Sequence, residues 1–241
     1  MKILLNGATG KVGRCIEALA AADAALDVVG RGSRSRPLSD VAGADVLVDF
    51  SRPDALGNAL ALAVPAGLPI VTGTTGLDAA TEDALRRAAA DIPICRAANF
   101  AIGVHVLDAL VREAAARLGP DFDIELVEAH HREKVDAPSG TALALVRTAA
   151  QARGLDPERA LRTDAHAGEA RRTDRIGVQS LRGGDVIGEH EVHFLGDGER
   201  LVLVHRATDR SLFARGALRA AAWLIDRPPG LYGLDEMLAA G

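Results

Sequence analysis

Residues 2–13 read Lys-Ile-Leu-Leu-Asn-Gly-Ala-Thr-Gly-Lys-Val-Gly, an apolar segment that leads into three glycines spaced three residues apart. This spacing predicts a strand, a tight turn and a helix. Gly7 would make the turn, Gly10 would let a pyrophosphate approach the backbone, and Gly13 would let the helix pack closely on the strand. The stretch therefore predicts a dinucleotide-binding turn, with a purely structural turn as the alternative.

Strand and helix patterns continue to alternate after this turn. Apolar strands are expected over 26–30, 45–50, 69–72 and 92–96, and helices over 54–66, 77–90 and 102–118. The alternation predicts an α/β fold with a Rossmann-like doubly wound parallel sheet. Ligands of such sheets bind beyond the carboxyl ends of the strands. We therefore expect the loops at 73–76 and 97–100 to contact the cofactor, and ordinary connecting turns are the alternative.

The end of the second strand bears on the choice of cofactor. It is followed by Arg-Gly-Ser-Arg-Ser-Arg, residues 31–36, and no acidic residue stands there. An Asp or Glu at this point usually holds the ribose hydroxyls of NAD, whereas a guanidinium binds a phosphate through two hydrogen bonds. Arg31 therefore favours NADPH over NADH, with a solvated basic loop as the alternative.

A second stretch, residues 128–142, is rich in side chains that can transfer protons or bind anions. It reads Glu-Ala-His-His-Arg-Glu-Lys-Val-Asp-Ala-Pro-Ser-Gly-Thr-Ala. It follows a strand expected over 121–129 and leads into a helix expected over 141–153. His130, His131 and Lys134 bring proton-transfer groups close to a cation. Ser139 to Thr141 would form the first turn of the helix, where backbone N–H groups attract anions. The stretch predicts a pocket for a small carboxylate that must also be protonated; the alternative is a capped helix with solvated histidines and lysine.

The pattern changes in the second half of the chain. Residues 155–175 are polar and irregular, and strands over 176–181, 186–194 and 200–207 follow in quick succession, separated by glycine-containing turns. Hairpins in series predict an α+β region with an open mixed sheet. An open sheet with an apolar face favours pairing between subunits, so we expect an oligomer. Helices are expected over 211–226 and 234–239.

Composition indicates which partners and which cellular compartment fit the protein. Hydrophobic residues are 48% and aromatic residues 3%, and the formal net charge of −5 argues against nucleic acid as the main partner. Cys15 and Cys95 form no Cys-x-x-Cys pair, which indicates free thiols in a reducing compartment. No leader segment or membrane-spanning stretch is recognised, so a soluble, cytoplasmic protein is expected.

The remaining histidines predict no metal site. His190 and His193 are three apart on an expected strand and so point to opposite faces; we interpret them as surface or interface residues. His105, His166 and His205 are interpreted as isolated.

The glycine turn, Gly73-Thr74-Thr75-Gly76, Asn99-Phe100 and the signature His-His-x-x-Lys-x-Asp-Ala-Pro-Ser-Gly-Thr-Ala together resemble the dihydrodipicolinate reductase (4-hydroxy-tetrahydrodipicolinate reductase) family. The resemblance extends from residue 3 to the C-terminal helix. It implies NADPH- or NADH-dependent reduction of 4-hydroxy-tetrahydrodipicolinate to tetrahydrodipicolinate in diaminopimelate and lysine biosynthesis. It also implies a dinucleotide-binding domain over 1–102 and 211–241. A domain over 103–210 would bind the cyclic dicarboxylate and assemble a homotetramer.

The resemblance also implies roles for individual residues. His130 would be the acid/base histidine and Lys134 the proton-donating lysine, while His131, Ser139, Gly140 and Thr141 would hold the substrate. The cofactor would contact residues of the glycine turn and of two later strand ends. These are Gly7, Ala8, Thr9, Gly10, Lys11, Val12, Gly73, Thr74, Thr75, Ala97, Ala98, Asn99 and Phe100. Arg31 is predicted as a further cofactor contact from its own chemistry and not from the resemblance.

Two departures from the family pattern stand out. Arg31 replaces the acidic residue commonly found after the second strand, and the crossover to the third strand is short. Two other functions stay open: another two-domain dehydrogenase of amino-acid metabolism, and a non-catalytic dinucleotide sensor in which His130 and Lys134 share no task.

Overall fold

The computed structural model describes residues 1–164 and 173–240. The chain divides into two units: unit 1 comprises Met1–Ile102 and Arg210–Gly241, and unit 2 comprises Gly103–Asp209. Among the described residues, no helix combines the length and apolar character needed to cross a membrane.

Unit 1 contains a parallel sheet of six strands in the order β11-β5-β4-β3-β1-β2. Its strands are β1 (Lys2–Asn6), β2 (Asp27–Gly32), β3 (Val46–Asp49), β4 (Ile70–Thr72), β5 (Pro93–Arg96) and β11 (Gly230–Tyr232). Its helices are α1 (Lys11–Ala22), α2 (Pro53–Ala63), α3 (Ala79–Ala88), α7 (Ser211–Leu224) and α8 (Leu234–Ala239). The Rossmann-like sheet is confirmed. Strand β11, which pairs with β5, was not predicted.

Both faces of this sheet are covered, because side chains alternate along each strand. On β1, Ile3 and Leu5 enter a cluster with residues of α1, α7 and α8, whereas Leu4 enters a second cluster with residues of α2 and α3. The carboxyl ends of β1, β3 and β4 are therefore held rigidly side by side.

The turn between β1 and α1 requires its glycines. Gly7 has a φ of 86°, and a Cβ there would lie 2.3 Å from the carbonyl oxygen of Phe50. A Cβ on Gly13 would lie 2.3 Å from the oxygen of Gly7, so the first turn of α1 packs directly on the loop.

Unit 2 contains a mixed sheet of five strands in the order β10-β9-β6-β8-β7. Its strands are β6 (Asp123–His130), β7 (Leu161–Arg162), β8 (Ile176–Arg182), β9 (Gly188–Gly196) and β10 (Glu199–Ala207). Its helices are α4 (Ile102–Leu118, whose first residue belongs to unit 1), α5 (Gly140–Ala152) and α6 (Pro157–Ala160). Residues of α4 and α5 pack on one sheet face in a common apolar core.

Two expectations about unit 2 were wrong in detail. The three strands over 176–207 do not form consecutive hairpins, because β6 lies between β8 and β9 and pairs with β8 in parallel. Helices α5 and α6 lie between β6 and β8 in the chain, as a parallel connection requires. The stretch expected to be irregular contains α6 and β7; its residues 165–172, with His166, lie outside the described residues.

Candidate active site

The N-terminal end of α1 fits a phosphate group. Its N-cap is Gly10, which has no side chain to bond the free N–H groups, and its first turn carries no acidic residue. The positive end of the helix dipole and the uncapped N–H groups therefore stay available to an anion. Gly7 and Ala8 are fixed by hydrogen bonds of 3.0 Å from their N–H groups to the carbonyl of Gly32.

A cleft of about 430 Å³ lies within unit 1 beside this turn. Of the predicted cofactor residues, Lys11, Val12, Gly73, Thr74 and Thr75 line it together. The other lining residues were not predicted from the sequence; they follow β3 and begin α2: Phe50, Ser51, Arg52 and Pro53. The glycine turn and the loop after β4 thus share one cavity.

Asp49, at the end of β3, ties the loops of this cleft together. It is fully buried. It accepts hydrogen bonds from Asn6 Nδ2 at 2.8 Å, Thr72 Oγ1 at 2.8 Å, Thr74 Oγ1 at 2.6 Å and Ser51 Oγ. Burial raises the pKa of Asp49, and the hydrogen bonds oppose that rise. One carboxyl group therefore links the ends of β1, β3 and β4 to the Gly73–Thr75 loop.

Arg31 is paired with an acidic residue of α1. Its Nε and Nη2 donate to the two carboxylate oxygens of Glu17 at 2.7 and 2.8 Å, and its Nη1 donates to the carbonyl of Val28 at 3.0 Å. The hydrogen bond to Glu17 raises the pKa of Arg31. Arg31 is not among the residues that line the cleft.

The four predicted cofactor residues after β5, residues 97–100, differ from one another in burial and in contacts. Ala98 is exposed, and Asn99 accepts a hydrogen bond from the N–H of Ala101 at 2.8 Å. Ala97 donates to Thr72 O at 3.2 Å, which holds this loop against β4. Phe100 is buried, with its ring 5.4 Å from that of Phe50, so its side chain serves packing.

At the end of β6 lies a buried ionic cluster around Glu128. The Glu128 carboxylate accepts two hydrogen bonds from Arg182, at 2.7 and 2.8 Å, and one from the N–H of Ser139 at 3.2 Å. His130 Nδ1 lies 2.6 Å from Glu128 Oε2, the oxygen that Ser139 does not contact. Burial alone would raise the pKa of Glu128, but the hydrogen bonds from Arg182, Ser180 and His130 outweigh it and lower the pKa to about 2.

His130 itself is almost buried, with 11% of its side chain exposed. Burial lowers the pKa of His130, and the hydrogen bond to Glu128 opposes the change. Its imidazole is therefore neutral at neutral pH and can exchange a proton.

The turn after β6 carries the predicted lysine. The N–H of Lys134 donates to the carbonyl of His131 at 3.0 Å, which closes the turn. Lys134 Nζ lies 2.7 and 2.8 Å from the oxygens of Asp136, and its side chain is 21% exposed. Arg182 Nη2 also donates to the carbonyl of Asp136 at 2.6 Å. The ion pair that holds Glu128 thus also holds the turn.

The predicted anion site lies at the beginning of α5. Ser139 is its N-cap, buried, and its Oγ accepts from the N–H of Ala142 at 3.1 Å. Gly140 is exposed and Thr141 and His131 are half-buried. The positive end of α5, His130 and Lys134 therefore belong to one short region of unit 2.

His190 is not a surface or interface residue, which corrects the sequence interpretation. It is 3% exposed, its Nε2 lies 3.1 Å from Ser139 Oγ, and its ring lies 5.3 Å from that of His130. Burial lowers the pKa of His190 to about 4. His205 is also not isolated, because it pairs with His190 across β9 and β10. His193, in contrast, is half-buried beside Glu191.

Among the described residues, no group of three or more His, Cys, Asp or Glu side chains is arranged to hold a metal ion.

Comparison with known proteins decides the family. The model of the N-terminal part of dihydrodipicolinate reductase matches residues 1–100, and the model of its C-terminal part matches residues 103–238. The chain belongs to the dihydrodipicolinate reductase family. It is therefore an oxidoreductase that uses a nicotinamide cofactor, which confirms the resemblance and the class of enzyme.

Relatives of this reductase family match over the whole chain. The 4-hydroxy-tetrahydrodipicolinate reductase of Zymomonas mobilis is 47% identical and covers 99% of this chain and 97% of its own length. That of Methylocella silvestris is 43% identical and covers 100% and 98%. Dipicolinate-bound dihydrodipicolinate reductase from Paenisporosarcina sp. superposes with a TM-score of 0.79 at 22% identity, covering 98% of this chain and 99% of that chain. This last likeness confirms the fold.

Two residues of the candidate site carry a signal in the sequence that could have identified them. Glu128 falls in register with Ile124 and Leu126, and His190 with Val192 and Phe194, so each is a polar residue at a core position of an alternating strand. Such a residue needs a buried partner. Arg182, which is 54 residues from Glu128, had no comparable signal.

Proposed function

We propose that the chain reduces 4-hydroxy-tetrahydrodipicolinate to tetrahydrodipicolinate in diaminopimelate and lysine biosynthesis. The reaction adds a hydride and a proton and releases water. The observation that carries the proposal is the cluster of His130, Lys134 and the N-terminal end of α5 in one region of unit 2. A cation and a helix N-terminus suit a dicarboxylate, and a neutral imidazole suits a proton transfer.

The cofactor is NADPH or NADH, and unit 1 holds it in this proposal. The glycine turn, the uncapped N-terminal end of α1 and the cleft lined by Gly73, Thr74 and Thr75 fit a dinucleotide. When bound, the nicotinamide supplies the hydride. Asp49 keeps the loops of the cleft in place through its buried hydrogen bonds.

Unit 2 binds and protonates the substrate. Ser139, Gly140 and Thr141 form the positive end of α5 and, with His131 from the preceding turn, hold a carboxylate group in this proposal. Lys134 holds the charge of the dicarboxylate, and His130 or Lys134 supplies the proton that the electron-rich enamine takes up after hydride addition. Orientation of the ring by these groups is the main contribution of the protein to the rate.

NADPH is the preferred cofactor in this proposal. Arg31 follows the position where an adenine ribose lies in dinucleotide-binding sheets. Glu17 occupies its Nε and Nη2 side, so one N–H on each of Nη1 and Nη2 stays available to a 2′-phosphate. Glu17 orients the guanidinium but also partly neutralises it, which moderates the preference and leaves room for NADH.

The assembly in this proposal is a homotetramer formed through unit 2. The sheet face opposite Phe194 exposes apolar side chains: Leu181 is 57%, Val202 41% and Val204 44% exposed. Apolar residues clustered on an open sheet are typical of subunit contacts. The cytoplasm is the proposed location, since Cys15 and Cys95 are both free thiols.

Two single replacements test the proposed function. With the condensation product of pyruvate and aspartate semialdehyde as substrate, His130→Gln and Lys134→Ala should each lower turnover by about 10²- to 10⁴-fold. The affinity for NADPH, measured by equilibrium titration, should be unchanged, because both residues lie in unit 2.

The matched control is Arg132→Ala, which removes an exposed cation from the same turn and should leave turnover intact. Full activity of Lys134→Ala would contradict the assignment. A nucleotide sensor would bind NADPH without consuming it. Another dehydrogenase of amino-acid metabolism would consume NADPH only with a different substrate.

A further inference from the structure

The Glu128 carboxylate fixes which nitrogen of His130 carries a proton. A carboxylate only accepts hydrogen bonds, and two bonds from Arg182 keep this one ionised. The contact of 2.6 Å between His130 Nδ1 and Glu128 Oε2 therefore requires the hydrogen on Nδ1. In the neutral imidazole, Nε2 is then the nitrogen with the free lone pair.

The Nε2 atom of His130 is not engaged by a protein donor or acceptor in the described part of the chain, and a glycine faces it. On β9, Gly188 faces it: a Cβ at that position would lie 3.0 Å from Nε2, tighter than an ordinary contact. His190 packs edge-on against the ring at 5.3 Å and is itself held at Ser139, so the orientation of His130 is fixed from two sides.

We propose that Glu128, held by Arg182, is a positioning residue that locks His130 in the Nδ1–H form and makes Nε2 the atom that exchanges a proton with the substrate. This inference rests on the proposed function of His130. Neither Glu128 nor Arg182 touches the substrate in this account. They act by fixing the tautomer and the ring, as carboxylates behind a catalytic or metal-bound histidine do.

The charged groups around His130 have opposing effects on its pKa. Burial lowers it most, Glu128 on β6 raises it, and Lys134 in the turn and Arg182 on β8 lower it. His190 on β9 is uncharged at neutral pH. Removal of the Glu128 charge therefore leaves only groups that lower the pKa of His130.

The test is the tautomer of His130 in the protein without substrate, read from long-range ¹H–¹⁵N correlations of ¹⁵N-histidine-labelled protein. The His130→Gln variant identifies the signal by its loss. The wild type should show the Nδ1–H form above the His130 titration. Glu128→Gln should populate the Nε2–H form and move the titration to lower pH. Glu133→Gln, the same change at an exposed residue of the turn, should do neither.

An Nε2–H form in the wild type would overturn the inference, and this measurement does not depend on whether any variant folds. An unchanged tautomer in folded Glu128→Gln would overturn it as well. In the reductase assay, Glu128→Gln should lower kcat about 10²-fold, shift the His130 limb of the pH profile downward and leave NADPH affinity unchanged. If the tautomer switched but the wild type reduced no condensation product, the proposed function would fail and the link from Glu128 to His130 would stand.

Discussion

Arg182→Met tests how the protein keeps the buried Glu128 carboxylate next to His130. Glu128 is fully buried, and the Arg182 side chain is only 19% exposed. Methionine keeps the apolar stem of Arg182 but leaves the Glu128 charge without its two strongest donors. The turn also loses the bond from Arg182 to the Asp136 carbonyl.

Two arguments give the same magnitude. Loss of one partner of a buried ion pair costs about 3–5 kcal/mol. The pKa of Glu128 is lowered from 4.5 to about 2 by Arg182, Ser180 and His130 together, against the effect of burial, which corresponds to about 3 kcal/mol in favour of the charged, folded form at neutral pH. Arg182 is the largest of the lowering causes. We therefore expect Arg182→Met to lower the free energy of unfolding by about 3 kcal/mol at pH ~7.

The pH dependence of this loss has a definite sign. In the wild type, Glu128 has a lowered pKa, so its stabilising contribution is complete above pH 4.5 and is lost as the pH falls towards 2. In Arg182→Met, the pKa of Glu128 rises from its wild-type value, because burial is then opposed only by the hydrogen bonds from Ser180 and His130. The deficit of the variant should therefore be largest at neutral pH and should shrink as the pH falls below about 4.5.

Urea denaturation at fixed protein concentration, followed by far-ultraviolet circular dichroism, measures this deficit. The matched control is the double variant Glu128→Gln/Arg182→Met, in which the buried charge is also removed. It should recover most of the lost stability, to within about 1 kcal/mol of the wild type. A deficit below about 1 kcal/mol for Arg182→Met, or no recovery in the double variant, would refute the reasoning.

Three further outcomes are expected. Arg31→Ala should weaken NADPH binding about tenfold or more and leave NADH binding unchanged, whereas Glu17→Gln should raise the ratio of kcat/KM for NADPH over NADH; equal effects on both cofactors would contradict the role of Arg31. Asp49→Asn should raise the KM for NADPH and lower the free energy of unfolding by about 1–3 kcal/mol in urea melts, and an unchanged KM would contradict its role in the cleft. Gly188→Ala should lower kcat more than it raises the substrate KM, since the added methyl group would lie 3.0 Å from His130 Nε2; wild-type kcat would contradict the expectation that a small displacement at Nε2 impairs the reaction.

The fold could be predicted where local patterns specify it. The glycine spacing after β1 has one structural solution, because Gly7 and Gly13 are positions where a Cβ would collide with backbone. Alternation of strands and helices then predicts the parallel sheet. Strand β11 was not predicted because it has only three residues, too few to show a pattern, and its pairing with β5 joins residues far apart in the chain. The prediction of a hairpin between β8 and β9 was wrong, because the sequence of the turn does not show that β6 lies between the two strands.

In the candidate site, too, residues in one local stretch could be predicted and residues brought together by strand pairing could not. The sequence was enough to predict His130, Lys134 and Ser139 as site residues, because they lie in one short stretch with a family signature. It was not enough for Glu128, Arg182 and His190, because their contacts depend on the pairing of β6 with β8 and β9, which are far apart in the chain. The role of Asp49 could not be predicted either, because the hydrogen bonds it accepts from Asn6 and Thr72 form only when β1, β3 and β4 lie side by side in the sheet.

The most direct measurement of the central claim is NADPH consumption by the purified wild-type chain after addition of freshly made pyruvate/aspartate-semialdehyde condensation product. The same batch of product is tested in parallel with a family member of established activity. We predict that one NADPH is consumed per molecule of substrate and that tetrahydrodipicolinate forms. Unchanged NADPH absorbance with this chain, while the parallel reaction goes to completion, would contradict it.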